Sequence, residues 1–371
     1  MDLSKSPLDE IGEIRKIDKS NMLSFCVEAP KHYHEAAKTA EKISLAYSKP
    51  ENIIVAGMGG SAIGGELLKD WTRDKASIPI EVSREYSLPA YANKKSLVLI
   101  ASYSGETEES LSTFLDATKR KCMIHCMSSG GSLLEFAEKI GVPYLRIPSG
   151  IPPRAALPYL FVPLLISLEK LNLVPSVSES LKEAVGILEK VSVENLPEKP
   201  AENNFSKTLA LGISETVPVV YGFGVYRGVA QRFKQQFNEN SKIPAKWEVF
   251  PELNHNEIMG WEEAGNLAKN FSAIFLRDKT ELAAIRTRIE TTKALMKLKV
   301  SKMFEVWSQG KSTLAKMLST ILVGDFTSVY LAILRRVDPT PVKTIALLKD
   351  RMKESGTKEK IIRELAEIAA K

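Results

Sequence analysis

From about residue 50 the chain alternates short aliphatic runs with amphipathic stretches, and after a break the alternation starts again. The runs NIIVAG (52–57), IPIEVS (78–83), LVLIAS (97–102), CMIHCM (122–127) and PYLRIP (143–148) read as buried strands. Between them, GGELLKDW, ESLSTFLDATKR and SLLEFAEK carry apolar residues at helical spacing. Alternation of this kind predicts an α/β fold: a doubly wound parallel sheet with helices on both faces.

A helical run from Pro158 to about Lys190 follows, and then VENLPEKPAENN, polar and proline-containing as a linker should be. The pattern restarts with PVVYGFG (218–224), AKWEVF (245–250), FSAIFLR (271–277) and KMFEVW (302–307) as strands. Helices are expected over 225–237 and from Glu281 to Leu298, and charged amphipathic helices from Thr340 onward, with Gly356 as the break between them. Two subdomains are therefore expected, 1–195 with a helical N-terminal extension and 196–371 with C-terminal helices. A length of 371 residues agrees with two domains.

Charge and cysteine content narrow the partners. Lys and Arg number 51 against 45 Asp and Glu, an excess spread along the chain. No cluster of basic and aromatic residues marks a nucleic-acid surface. Cys26, Cys122 and Cys126 form no disulfide spacing pattern, and the segment MDLSKSPLDEIGEIRK lacks the apolar core of a signal peptide. The apolar stretch from Ala155 to Leu168 is too short to span a membrane. A cytoplasmic protein without membrane attachment is expected. The four histidines carry no HExxH zinc motif, and neither a metal nor another cofactor is expected.

Two strand ends carry the chemistry. IIVAGMGGSAIGGELL places Gly60 and Ser61 between a strand and a helix, where backbone N–H groups and the helix dipole favour an anion. The loop also fits a loose dinucleotide fingerprint through Gly57, Gly59 and Ala62, with Glu81 as the acidic residue about 20 positions on. The next strand end, LVLIASYSGETEES, sets Ser102, Ser104 and Thr107 in a tight turn before a second helix. In a doubly wound sheet both loops open on the same crevice. Two convergent anion loops suit one phosphate monoester better than a pyrophosphate.

SYSGET resembles the phosphate-binding motif of the sugar isomerase (SIS) fold. Together with GMGGSAIGG, PPRAALPYL, NENSKIPA and ELNHNEIMGW, it resembles the bifunctional phosphoglucose/phosphomannose isomerases over about residues 50 to 350. That resemblance implies hexose 6-phosphate substrates and metal-free proton transfer between C1 and C2 through a cis-enediol. It makes Glu239 the base that shuttles the proton and Arg154 the cation that stabilises the enediolate. His255 and Lys349 become the ring-opening groups, with Lys343 a neighbouring rival. It further implies that His255 reaches the site from a second subunit of a homodimer. Family members often carry glycine where this chain has Pro158. Two other classes stay open: an SIS-type regulatory protein that binds a sugar phosphate without turnover, and a dinucleotide-dependent oxidoreductase. SQGKST (308–313) imitates a nucleotide-binding P-loop but has Glu305 where the first glycine belongs.

Overall fold

The structure, a computed structural model, describes residues 6–370. Helices α1 (Ile11–Ile17), α2 (Met22–Val27) and α3 (Ala29–Ala40) precede the first sheet. That sheet alternates β1 (Asn52–Ala56), α4 (Gly60–Thr72), β2 (Ile80–Ser83), β3 (Ser96–Ala101), α5 (Glu108–Lys119), β4 (Met123–Ser128), α6 (Gly131–Ile140) and β5 (Tyr144–Arg146). Helices α7 (Leu157–Lys170), α8 (Ser178–Glu194) and α9 (Phe205–Ile213) lead to a second alternation. It consists of β6 (Val217–Phe223), α10 (Arg227–Glu239), β7 (Lys246–Phe250), β8 (Phe271–Arg277), α11 (Ala283–Met296) and β9 (Lys302–Trp307). The chain finishes with α12 (Thr313–Leu334), α13 (Lys343–Lys353) and α14 (Thr357–Ala369).

Both sheets are wholly parallel, in the orders β2-β1-β3-β4-β5 and β7-β6-β8-β9. The expected mixed α/β fold with two parallel sheets is therefore present. The helix expected from Pro158 to Lys190 is two helices, α7 and α8, parted by a connection that contains Pro175. Pro158 itself lies in the first turn of α7, where its missing N–H costs no helical bond.

By compactness the chain groups into two discontinuous units. One takes Lys31–Val177 together with Val342–Lys371 and holds the first sheet; the other takes the stretch through Pro30 together with Ser178–Pro341 and holds the second. In the first-sheet unit, Ile361 and Leu365 of α14 are buried with Phe114 of α5, Leu133 of α6 and the inward residues Val98 and Ile100 of β3. In the second-sheet unit, α12 packs against α8, α9 and α10. Helix α12 is long and apolar enough by composition to cross a membrane, but 89% of its apolar window is buried, which makes it a core helix.

Candidate functional site

In the first sheet, β2 and β3 flank β1 on opposite sides, so the strand order reverses beside β1. The loops leaving β1 and β3 emerge side by side at that point, because Ala56 pairs with Ile100 at the strand ends. Their contact is direct: the Ser61 hydroxyl accepts the backbone N–H of Tyr103 at 3.2 Å. Gly60 and Ser61 form the first turn of α4, and Thr107 is the N-cap of α5, so two helix N-termini face this rim.

The turn between β3 and α5 is held from within. Ser102 donates its hydroxyl to that of Thr107 at 3.1 Å, and the Ser104 hydroxyl accepts the N–H of Glu106 at 3.2 Å. Gly105 has a φ of +69°, and a Cβ there would lie 1.9 Å from the carbonyl oxygen of Gly130. Only glycine can occupy that position without moving backbone. Ser102 is buried at 1% exposure while Ser104 is exposed, so the turn has an anchored side and an open side.

Arg154 is held in the same unit. Pro152 and Pro153 accept backbone bonds from Ala155 and Ala156 in the tight turn that leads into α7, and Arg154 is only 3% exposed. A Cβ on Gly60 would stand 2.9 Å from the Pro153 oxygen and 3.2 Å from the Arg154 Cα. The missing side chain at Gly60 therefore lets the N-terminus of α4 sit directly on the arginine turn. Tyr103 makes a second tie. Its hydroxyl donates to the Pro148 carbonyl at 3.1 Å and accepts the Ile151 N–H at 2.8 Å, which secures the segment before Pro152. Gly60, Ser61, Ser102, Ser104, Thr107 and the Arg154 turn are thus brought together in one unit.

Lys349 also belongs to this unit, on α13, and is exposed, as is Lys343 at the start of that helix. Six residues of α-helix turn by roughly 240°, so the two lysines lie on different faces.

Glu239 and His255 belong to the second-sheet unit. Glu239 is the last residue of α10, and its carbonyl accepts from the Lys242 ammonium. The same helix is locked to α12 by Arg232, whose Nε and Nη2 donate to Asp325 at 3.1 and 2.7 Å, and by Gln236, which donates to Asp325 at 3.0 Å. Past the helix, the Asn240 amide donates to the Ser328 hydroxyl at 2.9 Å, and the Ser241 hydroxyl donates to the Ser328 carbonyl at 2.6 Å. The end of α10 is therefore rigidly seated. His255 is exposed and closes a short 3-10 turn after β7. Helix α10 runs back along a parallel sheet, so Glu239 lies near the edge where the strands begin, and His255 lies beyond the edge where β7 ends. Five strand residues separate those edges by about 16 Å. Within one chain, the two residues do not share an edge.

At the strand ends of the second sheet, charged side chains pair with one another. Arg277, the last residue of β8, pairs through Nη2 with Glu281 at 2.6 Å and through Nη1 with Glu290 at 2.7 Å, and the next residue, Asp278, accepts from Tyr226 at 2.8 Å and Lys316 at 3.0 Å. The SQGKST loop is likewise occupied: the Glu183 carboxylate accepts the N–H groups of Lys311 and Ser312 at 2.6 and 3.0 Å. Among the described residues, no group of three or more His, Cys, Asp and Glu has a metal-binding arrangement.

Two groups at the rim escaped sequence reasoning. Tyr103 and Glu106 lie inside SYSGET, yet their ties run to residues distant in sequence. Glu106 accepts from the N–H of Ser132 at 2.7 Å and from the Lys358 ammonium. Burial alone would raise its pKa, but the bonds from Lys358 and Ser132 outweigh that and hold the carboxyl below its ordinary value.

A paired serine–threonine turn and a glycine-led helix start at the switch point of a parallel sheet, with a second such sheet following, define a protein of the SIS phosphosugar class. The fold agrees with the C-terminal domain of glucosamine-fructose-6-phosphate aminotransferase from Francisella tularensis, at a TM-score of 0.65 and 16% identity over 85% of this chain and 96% of that one. Residues 202–352 match the family described as the bacterial phospho-glucose isomerase C-terminal SIS domain. A bifunctional phosphoglucose/phosphomannose isomerase from Caldicellulosiruptor bescii is 42% identical over 90% of this chain and 99% of its own length; one from Aquifex aeolicus is 33% identical over 85% and 94%. The chain belongs to the bifunctional phosphoglucose/phosphomannose isomerase family.

Proposed function

We propose that the protein interconverts glucose 6-phosphate and mannose 6-phosphate with fructose 6-phosphate by metal-independent proton transfer. The observation that carries this reading is the rim of the first sheet, where two helix N-termini and the hydroxyls of Ser61, Ser102, Ser104 and Thr107 converge beside the Arg154 turn. Such a rim offers a phosphate monoester several donors and leaves the sugar next to a buried cation.

In this mechanism Gly60, Ser61, Ser102, Ser104 and Thr107 hold the phosphate. His255 and Lys349 transfer the proton that opens the ring. Glu239 takes the C2 proton of the open aldose and returns it to C1, while a proton passes from the C2 hydroxyl to the C1 oxygen. Arg154 stabilises the negative charge of the enediolate, a role worth roughly 10²–10³ in rate for a comparable donor. Both aldoses give one enediol, and rotation about C2–C3 lets either epimer form. The separation of Glu239 from His255 across the second sheet supports a homodimer in which His255 serves the neighbouring subunit. Metabolic sugar phosphates, with no membrane or nucleic-acid partner, fit a cytoplasmic enzyme.

Purified protein is to be incubated with each aldose phosphate, with and without a chelator. Fructose 6-phosphate is expected from both, undiminished by chelation. Tight binding without turnover would instead favour a sugar-phosphate sensor, and loss of activity on chelation would overturn metal independence.

A further inference from the structure

We propose that Glu106 is a positioning residue of the phosphate turn, and that Lys358 of the C-terminal helix cancels its charge so that a dianionic phosphate can bind. The inference rests on the rim reading given above and extends it to α14, which lies outside both strand-end loops.

Glu106 lies between Gly105 and Thr107, in the middle of the turn. Its Oε1 accepts the N–H of Ser132 at 2.7 Å and the Ser132 hydroxyl at 3.0 Å, and its Oε2 receives the Lys358 ammonium. The carboxylate therefore pins the turn to the first turn of α6. The same tie leaves a full negative charge one residue from Thr107 and two from Ser104. Neighbouring Cα atoms are about 3.8 Å apart, so that charge acts on a bound phosphate within roughly one Debye length at physiological salt. An acidic residue there opposes an anionic ligand unless it is neutralised. Lys358 supplies the neutralisation, and its place is fixed by packing: Ile361 and Leu365, three and seven residues on along α14, are buried in the first-sheet core. The pair spans 252 residues of sequence, so α14 contributes to the phosphate turn from a distant part of the chain.

The test uses the full chain as wild type, Lys358→Met and the double variant Glu106→Gln/Lys358→Met. Dissociation constants for inorganic phosphate and glucose 6-phosphate are measured by calorimetry, with KM and kcat measured alongside. Lys358→Met is expected to weaken both ligands by about fivefold at low salt and to raise KM while kcat stays within about twofold, and the loss is expected to shrink in 0.5 M salt, about where screening becomes complete over a few ångströms. The double variant is expected to recover wild-type binding, because glutamine still accepts from Ser132 and no longer carries charge. Unchanged binding in Lys358→Met overturns the proposal. So does a double variant as weak as Lys358→Met, which would make Lys358 a mechanical tether only. A wild type that binds phosphate in this pattern yet turns over neither hexose phosphate would refute the isomerase reading and leave this inference standing.

Discussion

Substituting Gly60 by alanine tests whether the phosphate rim and the arginine turn are one rigid body. The added Cβ would meet the Pro153 oxygen at 2.9 Å and its carbonyl carbon at 3.1 Å, whereas ordinary contact begins at 3.4 Å. Both contacts are to backbone, so no flexible side chain can swing aside. The α4 N-terminus and the Arg154 turn must separate by about half an ångström. A misplacement of about 1 Å typically costs about 10² in rate, so half of that distance corresponds to about tenfold in kcat/KM. Overpacking of this kind also destabilises by about 1–3 kcal/mol. Steady-state kinetics and chemical denaturation of Gly60→Ala measure the two effects. Gly186→Ala is the control, since it adds the same methyl to helix α8 with nothing within 4 Å. The control is expected to keep full activity and to gain about 0.5–1 kcal/mol from helix propensity. Wild-type kcat/KM in Gly60→Ala would refute the claim that the two elements are wedged together.

Other perturbations address separate parts of the account. His125, in the middle of β4, is 1% exposed, has no hydrogen-bond partner on either ring nitrogen, and is held by burial at a pKa of about 4, against an ordinary value of 6.5. The unfolded chain thus binds the proton more readily than the folded one. Stability is full above pH 6.5 and falls by about 3 kcal/mol as pH drops toward 4; His125→Leu is expected to flatten that part of the denaturation–pH profile, and an unaltered slope would contradict it. Lys349→Met is expected to lower kcat by at least about 10² on the cyclic sugar phosphates, and Lys343→Met to leave it within about threefold. The reverse pattern in steady-state assays would transfer the ring-opening role to Lys343.

The parts of the fold legible in the sequence were those written in local patterns. Strands β1 and β3 are short aliphatic runs, and each is followed directly by a small residue, Gly57 or Ser102, where the chain turns at the sheet edge. Helix α12 left no such mark: with apolar residues on every face it has no amphipathic period, and its start lies in SQGKST, where Ser312 caps Ala315 at 3.2 Å. The interleaving of the two compact units was equally silent, since nothing in TKEKIIRELAEIA says which sheet will bury Ile361 and Leu365. The same holds at the site. The hydroxyls of Ser102, Ser104 and Thr107 sit within one short motif and could be read together. The ties of Glu106 to Lys358 and of Tyr103 to Ile151 join residues far apart in the chain, and only packing brings them together.

In the proposed mechanism the moving proton is carried by Glu239. Glu239→Gln keeps the shape of the side chain at the seated end of α10 and removes its basicity. The decisive measurement is turnover of glucose 6-phosphate and mannose 6-phosphate by this variant in deuterated water, with phosphate affinity determined in parallel. The expected result is a loss of about 10²–10⁴ in kcat for both epimers and of deuterium incorporation at C1 and C2, with affinity for inorganic phosphate unchanged. Near-normal turnover of either aldose would contradict the account.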